Sequence, residues 1–116
     1  MPQRLLVARE LAEIFKLVSH PDRIRIIEEL ATNECDVNGL AKTLNLPGTR
    51  VSQHLAKLRA HRFVDERRDG RHHIYHLTQP EIARWIVNGL DFLEGRIEGV
   101  SASAIRSTRE SWSIAK

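Results

Sequence analysis

The sequence predicts a mainly helical domain carrying one β-hairpin, with a helix-turn-helix unit leading directly into that hairpin. Three observations predict it. Apolar residues recur at helical spacing through most of the 116 residues. Residues 36–77, DVNGLAKTLNLPGTRVSQHLAKLRAHRFVDERRDGRHHIYHL, read as helix, tight turn and helix, and then change period to strand-like alternation. Charge is concentrated in the same unit: from Lys42 to His76 there are eight Lys/Arg against three Asp/Glu. That local +5 leaves −2 for the rest of a chain totalling +3. A basic module on a slightly acidic body is the electrostatic footprint of a duplex-DNA binder.

Element by element, residues 4–18 place Leu5, Ala8, Leu11, Ala12, Phe15 and Val18 at helical spacing with charges between them. Ser19-His20-Pro21-Asp22 reads as a new start, with Ser19 as cap, Pro21 in the first turn and Asp22 completing a capping box. This second helix runs to about Ala31 with Ile24, Ile27 and Leu30 inward, and Thr32-Asn33-Glu34 breaks it. The third covers roughly Val37 to Leu44. Asn45 follows at the turn, where a left-handed residue is usual and Asn is the next choice after Gly. The fourth spans about Thr49 to His61 and points Val51, Leu55 and Leu58 inward. Two strand-like stretches then flank Arg68-Asp69-Gly70-Arg71, whose Asp-Gly is a hairpin signal.

Thr78, Pro80 and Glu81 read as the capped start of a last helix with the stripe Ile82, Trp85, Ile86, Gly89, Leu90, Leu93 and Ile97, widened by Phe92. One small domain cannot cover a stripe this wide. Leu5, Leu11 and Phe15 of the first helix, with Ile82, Trp85, Ile86, Gly89 and Leu93 of the last, are therefore assigned to a homodimer interface. Residues 1–98 form one domain for nucleic-acid binding and dimerisation. Residues 99–116 hold five serines and read either as a marginal helix (Ile97, Val100, Ala104, Trp112) or as a mobile tail.

Composition narrows the function classes. No run of about 18 apolar residues exists, so no membrane span is expected. The N-terminal MPQRLLVARELAEIF carries charges through its apolar stretch and lacks a signal-peptide core. One cysteine, Cys35, excludes an intrachain disulfide framework and most thiolate metal sites. A cytoplasmic protein is expected. Gly-rich phosphate loops, Ser/His/Asp arrangements and paired carboxylates are missing, so neither an enzyme nor a cofactor is expected.

Candidate contacts follow from the outer side of the fourth helix, which holds Thr49, Arg50, Ser52, Gln53, His54 and Lys57. Gln53 suits adenine bidentately, and Ser52 and His54 can donate to purine acceptors. The competing reading is a merely solvated helix face. Arg50 is left between a base and a phosphate. Lys57, Arg59, Arg67, Arg68 and Arg71, with His72 beside them, suit phosphate or minor-groove contacts. His72, His73 and His76 invite a metal, yet on a strand His72 and His76 share one face and His73 takes the other; the alternative is a solvated hairpin. Cys35 is either a small half-buried residue or a thiol activated by a helix N-terminus.

With these elements in order, the chain resembles the ArsR/SmtB-type family of small dimeric winged-helix transcriptional repressors over about residues 8–95. SHPDRIRIIEEL (19–30), VSQHLAKLR (51–59) and VDERRDGRHHIYHL (64–77) carry the resemblance. It implies a winged helix-turn-helix homodimer joined by its first and last helices. Such a dimer binds an imperfect inverted repeat in double-stranded DNA and releases it when an effector binds. The family's usual effectors are metals, but its ligand positions are changed here. A Cys-x-Cys or single Cys normally precedes the helix-turn-helix; Asp36 and Asn38 stand there, with Cys35 one place early. The last-helix site corresponds to Gln79, Glu81, Phe92 and Gly95, and one potential ligand in four cannot hold zinc. No metal site is expected, and the effector is unnamed by the sequence. The family's Ser/Thr cap of the recognition helix is replaced by Pro47-Gly48, so Thr49 or the backbone must satisfy the first amides. The resulting expectation is a sequence-specific repressor. Its alternatives are a metal-responsive repressor with an unorthodox site and a protein-interaction module on the same fold.

Overall fold

The computed structural model describes residues 2–94 and 102–113. Six helices and one hairpin follow in order: α1 (Pro2–Leu17), α2 (Pro21–Thr32), α3 (Val37–Leu44), α4 (Gly48–Ala60), β1 (Val64–Asp69), β2 (His72–Leu77), α5 (Glu81–Glu94) and α6 (Ala102–Ser113). The mainly helical fold with a hairpin wing is as predicted. Among the described residues, no helix is long and apolar enough to cross a membrane.

Local chemistry sets the joints. α2 is capped by His20, not Ser19: with Pro21 as the first helical residue, the preceding residue is the cap. Its ring Nδ1 accepts the Asp22 amide at 3.1 Å. Ser19 instead closes α1, its hydroxyl donating to the Lys16 carbonyl at 2.7 Å. Asp36 caps α3 by accepting the Gly39 amide at 2.7 Å, and Asn45 takes the expected left-handed conformation (φ 55°, ψ 50°). α4 starts at Gly48 with no side-chain cap. Its end is a second left-handed residue, Arg62 (φ 63°), and the Phe63 amide bonds back to the Leu58 carbonyl at 2.9 Å. This is a Schellman closure with its usual apolar contact, made without glycine. The first turn of α5 is not capped by Thr78, whose hydroxyl donates to the Arg62 carbonyl across the α4–β1 joint.

The antiparallel hairpin pairs Val64 with Leu77 through to Asp69 with His72. The two turn residues are therefore Gly70 and Arg71, with Gly70 at φ 63°, where a type II′ turn demands glycine. A third strand position is supplied from outside the hairpin. Cys35 and Tyr75 exchange both backbone hydrogen bonds, at 3.3 and 2.8 Å. The hairpin is thereby tied to the residue just before the α3 cap.

The core gathers Leu17, Ile26, Ile27, Leu30, Leu40, Leu44, Val51, Leu55, Leu58, Phe63, Val64, Ile82 and Ala83. α2 differs from expectation in that Ile26 is fully buried while Ile24 is only partly so. Ile82, assigned above to the dimer interface, is likewise buried inside the protomer, because the first turn of α5 lies against this core. α6 packs on α5 and α2, burying Ile105, with Arg109 paired to Asp91 at 2.8 Å. Ile97 and Val100, considered above for the tail, lie outside the described residues.

Candidate nucleic-acid interface

α4 turns Val51, Leu55 and Leu58 into the core, so helical spacing leaves Thr49, Arg50, Ser52, Gln53 and Lys57 exposed on its outer side. α3 packs across α4 and holds it there, as a helix-turn-helix requires. Gln53 and Ser52 make no hydrogen bond to other described side chains and are available at the surface. The hairpin adds exposed Arg67, Arg68, Arg71 and His72. These cations differ in commitment. Arg68, Arg71 and Lys57 have no ion-pair partner among the described residues. Arg67 pairs with Glu34, and His72 lies 3.2 Å from Asp36. Arg59 is held by Glu66 at 3.0 Å and Asp65 at 3.5 Å. Arg68, Arg71 and Lys57 can thus meet phosphates without first breaking an ion pair.

His54 does not belong to this surface. It is only 9% exposed, and its ring packs 4.5 Å from that of His20. The reason is helical geometry: position 54 lies between Val51 and Leu58 and faces the N-terminus of α2. Its Nε2 is 3.5 Å from Asp22 Oδ2 and its Nδ1 is 3.4 Å from Arg23 Nη1. Burial, then the positive surroundings of His20 and Arg23, push its pKa below the ordinary histidine value, against the opposing Asp22. The neutral form of His54 is favoured accordingly. The assignment of His54 to base reading is therefore corrected. Sequence periodicity could have found this, since 51, 54, 55 and 58 make one continuous inward stripe.

Metal chemistry can be tested donor by donor. His20, Asp22 and His54 bring one ligand atom each within 4.8 Å of the others, a grouping that sequence spacing hid. Its protons are already placed. A guanidinium only donates, so His54 Nδ1 accepts from Arg23, and in the neutral ring the proton sits on Nε2. His20 Nδ1 accepts the Asp22 amide, which puts its ring proton on Nε2 as well. Both Nδ1 atoms are thus engaged in hydrogen bonds, and three donors are one short of the four of a closed zinc site. The hairpin histidines divide between two carboxylates, His72 to Asp36 and His73 to Glu66 at 3.3 Å. Two donors apiece fall short of the four that zinc takes. Asp36 is also spent on capping α3. Cys35 is half-buried, and burial, aided by the carboxylates of Glu29 and Asp36, pushes its thiol up, in keeping with the half-buried reading rather than the activated thiol.

Several large apolar residues stay outside the core. Phe15 of α1 and Trp85 of α5 pack at 6.0 Å between ring centroids with their planes tilted by 43°, yet are 54% and 43% exposed. Leu5 and Leu11 are also exposed on α1, and Phe92, 70% exposed, lies further along α5.

Comparison with known proteins agrees with this architecture. Residues 20–66 match the model of the bacterial regulatory protein, arsR family. The chain is 35% identical over 80 residues to the HTH-type transcriptional regulator KmtR of Mycobacterium tuberculosis, covering 69% of this chain and 62% of that relative, less than two thirds of its length. It is 32% identical over 83 residues to the biofilm growth-associated repressor of Xylella fastidiosa, covering 72% of each. Among solved structures, NolR from Sinorhizobium fredii superposes with a TM-score of 0.72 at 29% identity, covering 84% of this chain and 96% of that one.

Proposed function

This chain belongs to the ArsR family of bacterial regulatory proteins, and from that premise we propose that it is a cytoplasmic, sequence-specific DNA-binding repressor acting as a homodimer. The observation carrying the proposal is the exposed face of α4, with Thr49, Arg50, Ser52 and Gln53 beside the uncommitted cations Lys57, Arg68 and Arg71. Residues 1–98 supply the DNA-binding and dimerisation unit. Two copies related by a two-fold axis present two recognition helices, so the target is an imperfect inverted repeat with half-site centres roughly one helical turn, about 10 bp, apart. Selection of duplexes from a random library, followed by footprinting, tests this. A single asymmetric footprint overturns it.

Gln53 is the base reader and the wing arginines are not. Gln53→Ala is expected to relax preference at one position per half-site, costing about 1–3 kcal/mol against the correct base. Binding measured on the selected duplex and on its single-base variants gives this directly. Equal losses on selected and random DNA place Gln53 outside the base contacts.

Release of DNA follows a signal other than a metal, because the donors available are too few or already engaged in hydrogen bonds. Titrating the DNA complex with zinc, cadmium, cobalt and arsenite is expected to leave it intact. Release at low micromolar metal, abolished by His72→Ala or Cys35→Ser, establishes an unorthodox metal sensor instead.

A further inference from the structure

Arg23 is a charged side chain only 9% exposed, and nothing in DNA contact accounts for it. Its Nε donates to the carbonyl of Leu17, the last residue of α1. Its Nη1 reaches His54 Nδ1 at 3.4 Å in the middle of α4. The His54 ring passes the row on, Nε2 to Asp22 Oδ2 at 3.5 Å, and the same carboxylate oxygen lies 3.9 Å from Arg50 Nη1 on the outer face of α4. One row of polar groups thus runs from the end of α1, through the interior, to a DNA-facing guanidinium.

We propose that Arg23, His54 and Asp22 form a positioning relay that fixes the recognition helix, and Arg50 upon it, relative to α1, and that the relay closes only with His54 in its neutral Nε2–H form. The proposal rests on the DNA-binding reading and adds its regulation. Each link has a fixed polarity. Arg23 needs an acceptor at Nδ1, and Asp22 needs a donor at Nε2; the Nε2–H tautomer alone supplies both. Protonation puts a second donor and a second positive charge opposite a buried guanidinium, with His20 adjacent and only Asp22 in compensation. The link to Arg23 then opens and α4 loses its tie to the end of α1. The sign follows: because the folded-state pKa of His54 is depressed, the relay is intact above the ordinary histidine range and is lost as pH falls through the folded value. Since α1 carries exposed apolar residues, the same row ties that helix to the recognition helix.

The test uses the full-length chain, a duplex selected by the wild type near pH 8, and three variants. Gln mimics the required polarity, accepting from Arg23 through its carbonyl and donating to Asp22 through its amide, and it does not titrate. His54→Gln is expected to keep wild-type affinity near pH 8 and to resist acidification. The wild type is expected to lose affinity relative to His54→Gln by up to about tenfold per pH unit below the His54 titration point, as linkage to one proton dictates. The exposed His61, His72 and His73 are present in both proteins, so their contribution cancels in the ratio. His54→Ala and Arg23→Met are expected to bind more weakly than wild type, by about tenfold, with dimerisation unchanged. Nitrogen NMR of the His54 ring is expected to show the proton on Nε2, with the Leu17, Arg23 and Arg50 signals shifting together as it titrates. A ring proton on Nδ1, or identical acid profiles for wild type and His54→Gln, overturns the relay. The NMR arm needs no DNA, so failure to select any duplex counts against the DNA-binding reading alone.

Discussion

Affinity for duplex DNA is expected to collapse with salt. Arg50, Lys57, Arg68 and Arg71 lie exposed in each protomer, and two copies neutralise about eight phosphates, for a slope near −7 in log K against log salt. Between 50 and 200 mM salt that is a loss of about 10⁴ in affinity, within a range of 10³–10⁵ for about 6–10 contacts. On the proposed reading the wing arginines bear on backbone alone, so Arg68→Ala and Arg71→Ala should weaken selected and random sequences alike. Each should flatten the slope by about 0.9 per contact removed, twice over in a dimer. Arg67→Ala should do less, because its guanidinium is already paired with Glu34 and breaking that pair offsets the phosphate gained. Fluorescence anisotropy at four or five salt concentrations checks all three. A slope shallower than about −3 means that the basic wing does not lie along the backbone.

The second large effect is expected at the α1–α5 face. Phe15 and Trp85 pack on one another but keep about half their surface exposed, with Leu5 and Leu11 also exposed on the same helix as Phe15. Burying such an aromatic fully contributes about 1.5–3 kcal/mol, so a two-fold contact over this patch is strongly favoured. Trp85→Glu places a charge in it while leaving the protomer core, which Trp85 does not enter, intact. Sedimentation should show a dimer for the wild type and a folded monomer for the variant. Losing the second half-site should then weaken DNA binding by about 10²–10⁴, the usual gain from linking two binding events. A Trp85→Glu protein that remains dimeric at the same concentration moves the interface elsewhere. Ile82→Ala is the contrasting change: Ile82 sits in the core, so it should lower stability by about 2–5 kcal/mol rather than dissociate the chains.

What the sequence by itself determined is the set of features written in local chemistry. Val37 to Leu44 was legible because the apolar spacing is regular and Asn45 tolerates φ above zero. The hairpin was legible from its change of period and from Gly70, the one residue suited to its turn. The recognition helix and its exposed Thr49, Ser52 and Gln53 followed from the inward triplet Val51, Leu55 and Leu58. Only the tertiary structure decided the rest, because it depends on which distant group arrives at a given face. His54 looks like another polar residue on α4 until the N-terminus of α2 covers it with His20, Asp22 and Arg23. Ile82 reads as one more member of an apolar stripe until the core of its own protomer claims it. Cys35 reads as a small half-buried residue at a helix start until Tyr75, forty residues later, completes its backbone hydrogen bonds. Periodicity states which side of a helix is apolar or polar; it is silent on the partner, and it is the partner that turns a surface histidine into a buried link.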